Sequence, residues 1–214
     1  MKVEAVVGAA RGAVGYLVYD RPGGQALIVD APLGSTLLYM KAIEQADLSV
    51  QYIVSTHGHW DQIADNAKLA EATGAAVCAH VWDAPRLADP QLGTEDPNFK
   101  TPTLQGRRAD RFLGDGQELQ VGDMHFTVMH TPGHTPGSLS LYEPRSKALF
   151  SGDILVWHGI GRSDFPGGSP HHLQESLIRL ARLPNDTRIF PGHGIPTVLG
   201  NERWLLDLAK SSTT

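Results

Sequence analysis

A chain of 214 residues, 41% of them hydrophobic, can bury one substantial core, and we read residues 1–214 as a single domain. Its net charge of -5 offers no basic field to nucleic acid or to an anionic membrane, so neither is expected as a partner. Cys78 is the single cysteine, which excludes an intrachain disulfide; no apolar run approaches the roughly 18 residues of a membrane span, and the expected location is cytoplasmic.

Val3 to Val7 and Tyr16 to Tyr19 are rich in β-forming residues. The turn Arg21-Pro22-Gly23-Gly24 joins the second of these runs to Ala26-Leu27-Ile28-Val29-Asp30, so the chain opens with antiparallel strands. Ser35 predicts the cap of a helix running to about Ala46, with Leu37, Leu38, Met40 and Ile43 as its inner stripe. The apolar run Gln51-Tyr52-Ile53-Val54-Ser55 then predicts a buried strand that delivers Thr56-His57-Gly58-His59-Trp60-Asp61-Gln62. Residues two apart on a helix diverge by roughly 200°, whereas alternate side chains of extended backbone point the same way. His57, His59 and Asp61 therefore read as ligands on a loop. A helix over Asn66 to Ala72, closed by Thr73-Gly74, and a strand over Ala76 to Ala79 with Cys78 in the core complete the first half.

Periodicity dissolves from Pro85 to Asp110 among Pro90, Gly93, Pro97, Pro102 and Gly106, a length that suits a lid or a substrate loop. Glu118 to Val121 and His125 to Met129 form a hairpin about Gly122-Asp123, and Leu139 to Tyr142 and Ala148 to Phe150 add strands. A helix from Pro170 or His171 to about Leu183, a strand over Arg188 to Phe190 and a closing helix over Asn201 to Leu208 end the chain. Two strand-rich halves, each with covering helices, predict the α/β class and a four-layer αββα sandwich.

Ten histidines are present, so position has to discriminate among them. His57, His59, His134 and His193 lie in Gly/Pro loops directly after expected strands, as does Asp153 after Phe150-Ser151-Gly152. Imidazole and carboxylate together suit zinc, iron or manganese. His80, His125, His130, His158, His171 and His172 read as surface residues or as supports of the site.

The ordered set Thr56-His57-Gly58-His59-Trp60-Asp61, Thr131-Pro132-Gly133-His134-Thr135-Pro136-Gly137, Ser151-Gly152-Asp153 and Pro191-Gly192-His193-Gly194 resembles the metallo-β-lactamase superfamily, and in particular its glyoxalase II-like branch. Gly161-Arg162-Ser163-Asp164-Phe165-Pro166-Gly167-Gly168 resembles the loop that shapes the site in that branch. The resemblance implies that His57, His59 and His134 hold a first metal, that Asp153 bridges, and that Asp61 and His193 serve a second. It implies zinc, as one or two ions, with iron or manganese as alternatives. One residue departs: the branch pattern is HxHxDH, and Gln62 stands where its last histidine would be. A neutral amide oxygen is a weak zinc ligand beside imidazole.

The implied activity is metal-assisted hydrolysis of a thioester or related ester, a small-molecule substrate, with Asp61 and Asp153 as the catalytic carboxylates. Two alternatives stay open: a mononuclear iron oxidoreductase like the persulfide dioxygenases of this fold, and a degenerate, non-catalytic metal-binding module. Homo-oligomerisation is compatible with the sequence and is not specified by it.

Overall fold

A computed structural model describes the backbone of residues 1–92 and 102–211, and side chains as far as Leu208. The first sheet runs in chain order: β1 (Lys2–Val7), β2 (Val14–Tyr19), β3 (Gln25–Val29), β4 (Ser49–Val54), β5 (Ala76–Ala79) and β6 (Arg111–Phe112). Its first three strands pair antiparallel, and β3 to β6 pair parallel. Parallel strands need crossovers, supplied in part by α1 (Thr36–Ala46), α2 (Trp60–Ile63), α3 (Asn66–Thr73) and α4 (Ala84–Ala88).

The second half begins with β7 (Glu118–Val121), β8 (Met124–His130), β9 (Leu139–Glu143) and β10 (Ala148–Gly152), followed by a small ribbon of β11 (Leu155–Val156) and β12 (Gly159–Ile160). After α5 (Pro170–Leu180) come β13 (Arg188–Pro191), β14 (Thr197–Val198) and α6 (Arg203–Ser211). The second sheet is ordered β14-β13-β10-β9-β8-β7, with β10 and β13 parallel.

Strand alternation explains why the layers stack. Tyr16 and Val18 of β2, Leu27 and Val29 of β3 and Val54 of β4 face the second sheet, where they meet Phe126, Val128, Leu141 and Phe150. Their neighbours Leu17, Tyr19, Ala26, Ile28 and Ile53 point the other way, onto Tyr39 and Ile43 of α1 and Leu69 of α3. On the far side, Met129, Leu149 and Ile189 pack beneath Leu173, Leu177 and Leu180 of α5 and Leu205 of α6. Three apolar clusters between four layers make the expected αββα sandwich. Burying each large side chain there contributes about 1.5–3 kcal/mol. No helix among the described residues is long and apolar enough to cross a membrane.

Two expectations are corrected. The inner stripe of α1 is Tyr39 and Ile43, four apart, while Leu37 and Leu38 are 83% and 50% exposed. Ser35 takes the cap position without a side-chain cap bond. The Asp65 carboxylate accepts from the Thr36 amide at 2.9 Å and its hydroxyl at 2.8 Å instead, and the Tyr39 hydroxyl donates to the Asp30 carbonyl at 2.9 Å. Those anchors set the rotation of α1. Within the expected 85–110 loop, Pro85 lies in the first turn of α4, Leu87 is buried, and its carbonyl accepts the Arg107 amide. Residues 93–101, the middle of that stretch, lie outside the described residues.

Candidate metal centre

The expected site residues follow strand C-termini on one edge of the sandwich, where α/β sheets place their ligands. His57 follows β4, His134 follows β8, Asp153 follows β10 and His193 follows β13. His59 has extended backbone (φ -71°, ψ 139°) and caps α2, while His57 lies in a bend just after β4. Asp61 and Gln62 are not in an open loop as expected. They lie on the helical turn Trp60–Ile63, closed when the Gln62 amide donates to the His59 carbonyl.

All six residues are brought together. The rings of His57, His59 and His134 meet edge to face, with centroids 4.5–4.9 Å apart. Their Nε2 atoms are buried and lack any hydrogen-bond partner. Asp153 Oδ2 is 3.8 Å from His57 Nε2 and 3.5 Å from His134 Nε2. Asp153 Oδ1 takes His193 Nδ1 at 2.9 Å, and His193 Nε2 lies 3.5 Å from Asp61 Oδ2. Gly152, at φ 51°, permits this approach, because a Cβ there would come within 2.6 Å of Thr56 Oγ1.

A hydrogen bond behind His134 sets its tautomer. His134 Nδ1 lies 2.6 Å from the Arg162 carbonyl, which can only accept, so Nδ1 carries the proton and Nε2 the lone pair. Thr56 Oγ1 lies 2.8 Å from Asp30 Oδ2 and 3.1 Å from His57 Nδ1, so it links the His57 ring to that carboxyl group. Burial lowers the pKa of His57 to about 4 and that of His59 well below the usual value, so both rings stay neutral. Burial opposes charge on Asp153, yet the His193 bond and the nearby histidines hold its carboxyl well below the ordinary range. Burial also works against protonation of His193, but its bonds to Asp153 and Asp61 raise its pKa to about 10.

Two supporting carboxylates left no pattern in the sequence. Asp83 has no exposed surface; its Oδ2 accepts the Gly58 amide and the Thr135 hydroxyl, and its Oδ1 accepts the Gly137 amide and Arg86. Asp30, just past β3 at φ 60°, accepts the Thr56 amide at 2.7 Å as well as its hydroxyl. A charged residue closing the run Ala26-Leu27-Ile28-Val29 was the one available hint. His80 and His130, expected as surface or supporting residues, stack in parallel at 4.2 Å, and His130 Nε2 bonds the Pro136 carbonyl beside the His134 loop. His171 and His172 are exposed at the start of α5.

Five of the six, His59, Asp61, His134, Asp153 and His193, border a cavity of about 290 Å³ that is also lined by the apolar side chains of Trp60, Val156, Ile160 and Phe165 and by Arg11 and Arg162. Arg11 Nε stands 3.7 Å from Asp61 Oδ2. A buried polar atom without a partner costs about 1–3 kcal/mol. Three such nitrogens converge here, within 4.8 Å of one another and beside an ionised carboxylate, an arrangement that fits a divalent cation.

The profile of the Metallo-beta-lactamase superfamily matches residues 10–193. The hydroxyacylglutathione hydrolase GloC of Haemophilus influenzae is 32% identical over 192 residues, covering 87% of this chain and 88% of that one. The crystal structure of the BLEG-1 B3 metallo-beta-lactamase aligns with a TM-score of 0.87 at 29% identity, over 94% of this chain and 96% of its own. That of TTHA1623, in a di-iron-bound form, gives 0.81 at 32% identity, over 94% and 97%.

Proposed function

The chain belongs to the metallo-beta-lactamase superfamily, and from that premise we propose that it is a metal-dependent hydrolase acting on a thioester or a related ester. The observation that carries this reading is the set of three partnerless imidazole nitrogens beside Asp153, of which His59, His134 and Asp153 line a pocket shared with apolar side chains. Similarity to a hydroxyacylglutathione hydrolase over most of both chains directs it toward thioesters.

His57, His59, His134 and Asp153 would hold the ion. Such an ion would supply Lewis acidity, lowering the pKa of a water from 15.7 toward about 7 and polarising the acyl carbonyl. The residues of the chain do the rest. Asp61, at the rim beside His193, orients the attacking water and accepts its proton. A C–O bond forms as the C–S bond breaks, and the departing thiolate is stable enough to leave with little acid assistance. Trp60, Val156, Ile160 and Phe165 hold the acyl group in the pocket and exclude competing water. Zinc suits the donor set best, and iron is the alternative suggested by the di-iron relative.

The test is a substrate panel on one metal-defined preparation: acylglutathione, other thioesters, lactones, phosphodiesters and glutathione persulfide. Thioester turnover should vanish on chelation and return with zinc. Oxygen uptake on the persulfide by an iron-loaded sample, without thioester turnover, would overturn the reading in favour of a dioxygenase.

A further inference from the structure

We propose that this chain holds one metal ion rather than two, because Gln62 and His193 close the position beside the first site. The inference rests on the metal centre described above and not on the thioester preference.

The two positions differ in what their residues already do. The Nε2 atoms of His57, His59 and His134 are buried and have no protein partner, so a cation there breaks no hydrogen bond within the protein. The groups available to a second cation are engaged with one another. His193 spans the two carboxylates, with Nδ1 2.9 Å from Asp153 Oδ1 and Nε2 3.5 Å from Asp61 Oδ2, and Arg11 Nε lies 3.7 Å from that same Asp61 oxygen.

Gln62 supplies the stronger argument. It has no exposed surface, and its side-chain nitrogen donates to the Gly192 carbonyl at 2.6 Å, a carbonyl that also accepts the Val14 amide at 2.7 Å. A carbonyl can only accept, so the end of the amide facing Gly192 is the NH2. That nitrogen stands alongside the Asp153 carboxylate: a Cβ on Gly192 would lie 2.7 Å from Gln62 Nε2 and 2.5 Å from Asp153 Oδ1. A primary amide nitrogen has its lone pair delocalised into the carbonyl and is no metal ligand. Near Asp153 the Gln62 side chain therefore presents N–H groups and not a donor atom that a cation could use. Gln62 Oε1 is buried without a partner, so turning the amide to offer that oxygen would sacrifice the Gly192 bond.

The experiment is a metal count. Wild type, Gln62→His and Gln62→Glu are loaded with excess zinc, dialysed against metal-free buffer, and read by elemental analysis and native mass spectrometry. Zinc calorimetry on metal-free wild type runs beside them. Wild type should keep one ion and show one tight event, with any second at least about a hundredfold weaker. The variants should keep two, because imidazole or carboxylate replaces the amide. Two ions in dialysed wild type would overturn the proposal, as would a count of one in both folded variants. If neither variant folds, the wild-type calorimetry decides alone: two tight events overturn the proposal and one supports it. One ion with no thioester turnover would sink the proposed substrate and leave this inference standing. Two ions with thioester turnover would do the reverse.

Discussion

The Gly58 amide, between the first two histidines of the site, donates a 2.7 Å hydrogen bond to Oδ2 of Asp83. The same oxygen takes the Thr135 hydroxyl at 2.6 Å, while Oδ1 takes the Gly137 amide at 2.9 Å and Arg86 at 3.0 Å. One buried carboxylate thus sets the distance between the loop carrying His57 and His59 and the loop carrying His134.

Replacing Asp83 by Asn should loosen that distance at nearly constant volume. Each carboxylate oxygen faces two donors, so the NH2 of an asparagine meets donors whichever way the amide is turned. We expect a loss of about 1–3 kcal/mol in stability and a zinc affinity about 10- to 100-fold weaker. Denaturation curves and zinc titration check both. An unchanged zinc affinity would show that the loops keep their spacing without Asp83.

His134→Ala removes a buried nitrogen from the centre, and His172→Ala removes an exposed ring. The first should lower retained metal and reduce turnover by about two orders of magnitude or more, as expected when a group that positions the reacting atoms is lost. The second should do neither. Zinc should also raise the melting temperature of wild type by mass action, and raise that of His134→Ala less. Equal behaviour of the two variants would mean that the metal is held elsewhere.

Asp30 sets a pH dependence for the metal-free protein. Burial raises its pKa from 3.8 to about 8, against the opposing Thr56 bonds. A folded-state pKa above the unfolded one means that folding binds a proton. Its contribution to stability is therefore full below about pH 4 and is lost as pH rises toward about 8. Asp30→Asn, which cannot ionise, should flatten that alkaline decline. Unfolding free energies at pH 6 and pH 9 on both proteins provide the comparison, and an equal decline in both would assign it to other groups.

Phe150 is fully buried between the sheets, edge to face with Tyr16 at 5.5 Å and stacked on Phe190 at 5.1 Å. Truncation to Ala should cost about 3–5 kcal/mol through lost transfer free energy and the cavity left behind. Retained zinc per folded chain should stay unchanged. A smaller loss in urea denaturation would mean that the two sheets close over the gap.

Much of the architecture was legible in local pattern. The runs Tyr16 to Tyr19 and Ala26 to Asp30 read as strands and lie within or largely within β2 and β3, and their alternation sends Tyr16 and Leu17 to opposite layers. The site histidines were legible for a related reason: His57, His134 and His193 each follow a strand on a small-residue loop, and parallel strands put their C-terminal ends on one edge. These properties depend on neighbours a few residues apart.

What tertiary structure decided depends on partners far apart in the chain. Leu37 and Leu38 are as apolar as a buried stripe requires, yet Asp65, 29 residues from Thr36, and the Asp30 carbonyl rotate α1 so that Tyr39 faces inward. Asp83 looks like any loop aspartate until Gly58, Thr135 and Gly137, at separations of 25, 52 and 54 residues, turn their donors onto it. Gln62 could be recognised in sequence as a departure, but which end of its amide faces the site was settled by the Gly192 carbonyl 130 residues away. A hydrogen bond specifies an atom and a direction, and where its partner comes from across the fold, no local periodicity encodes it.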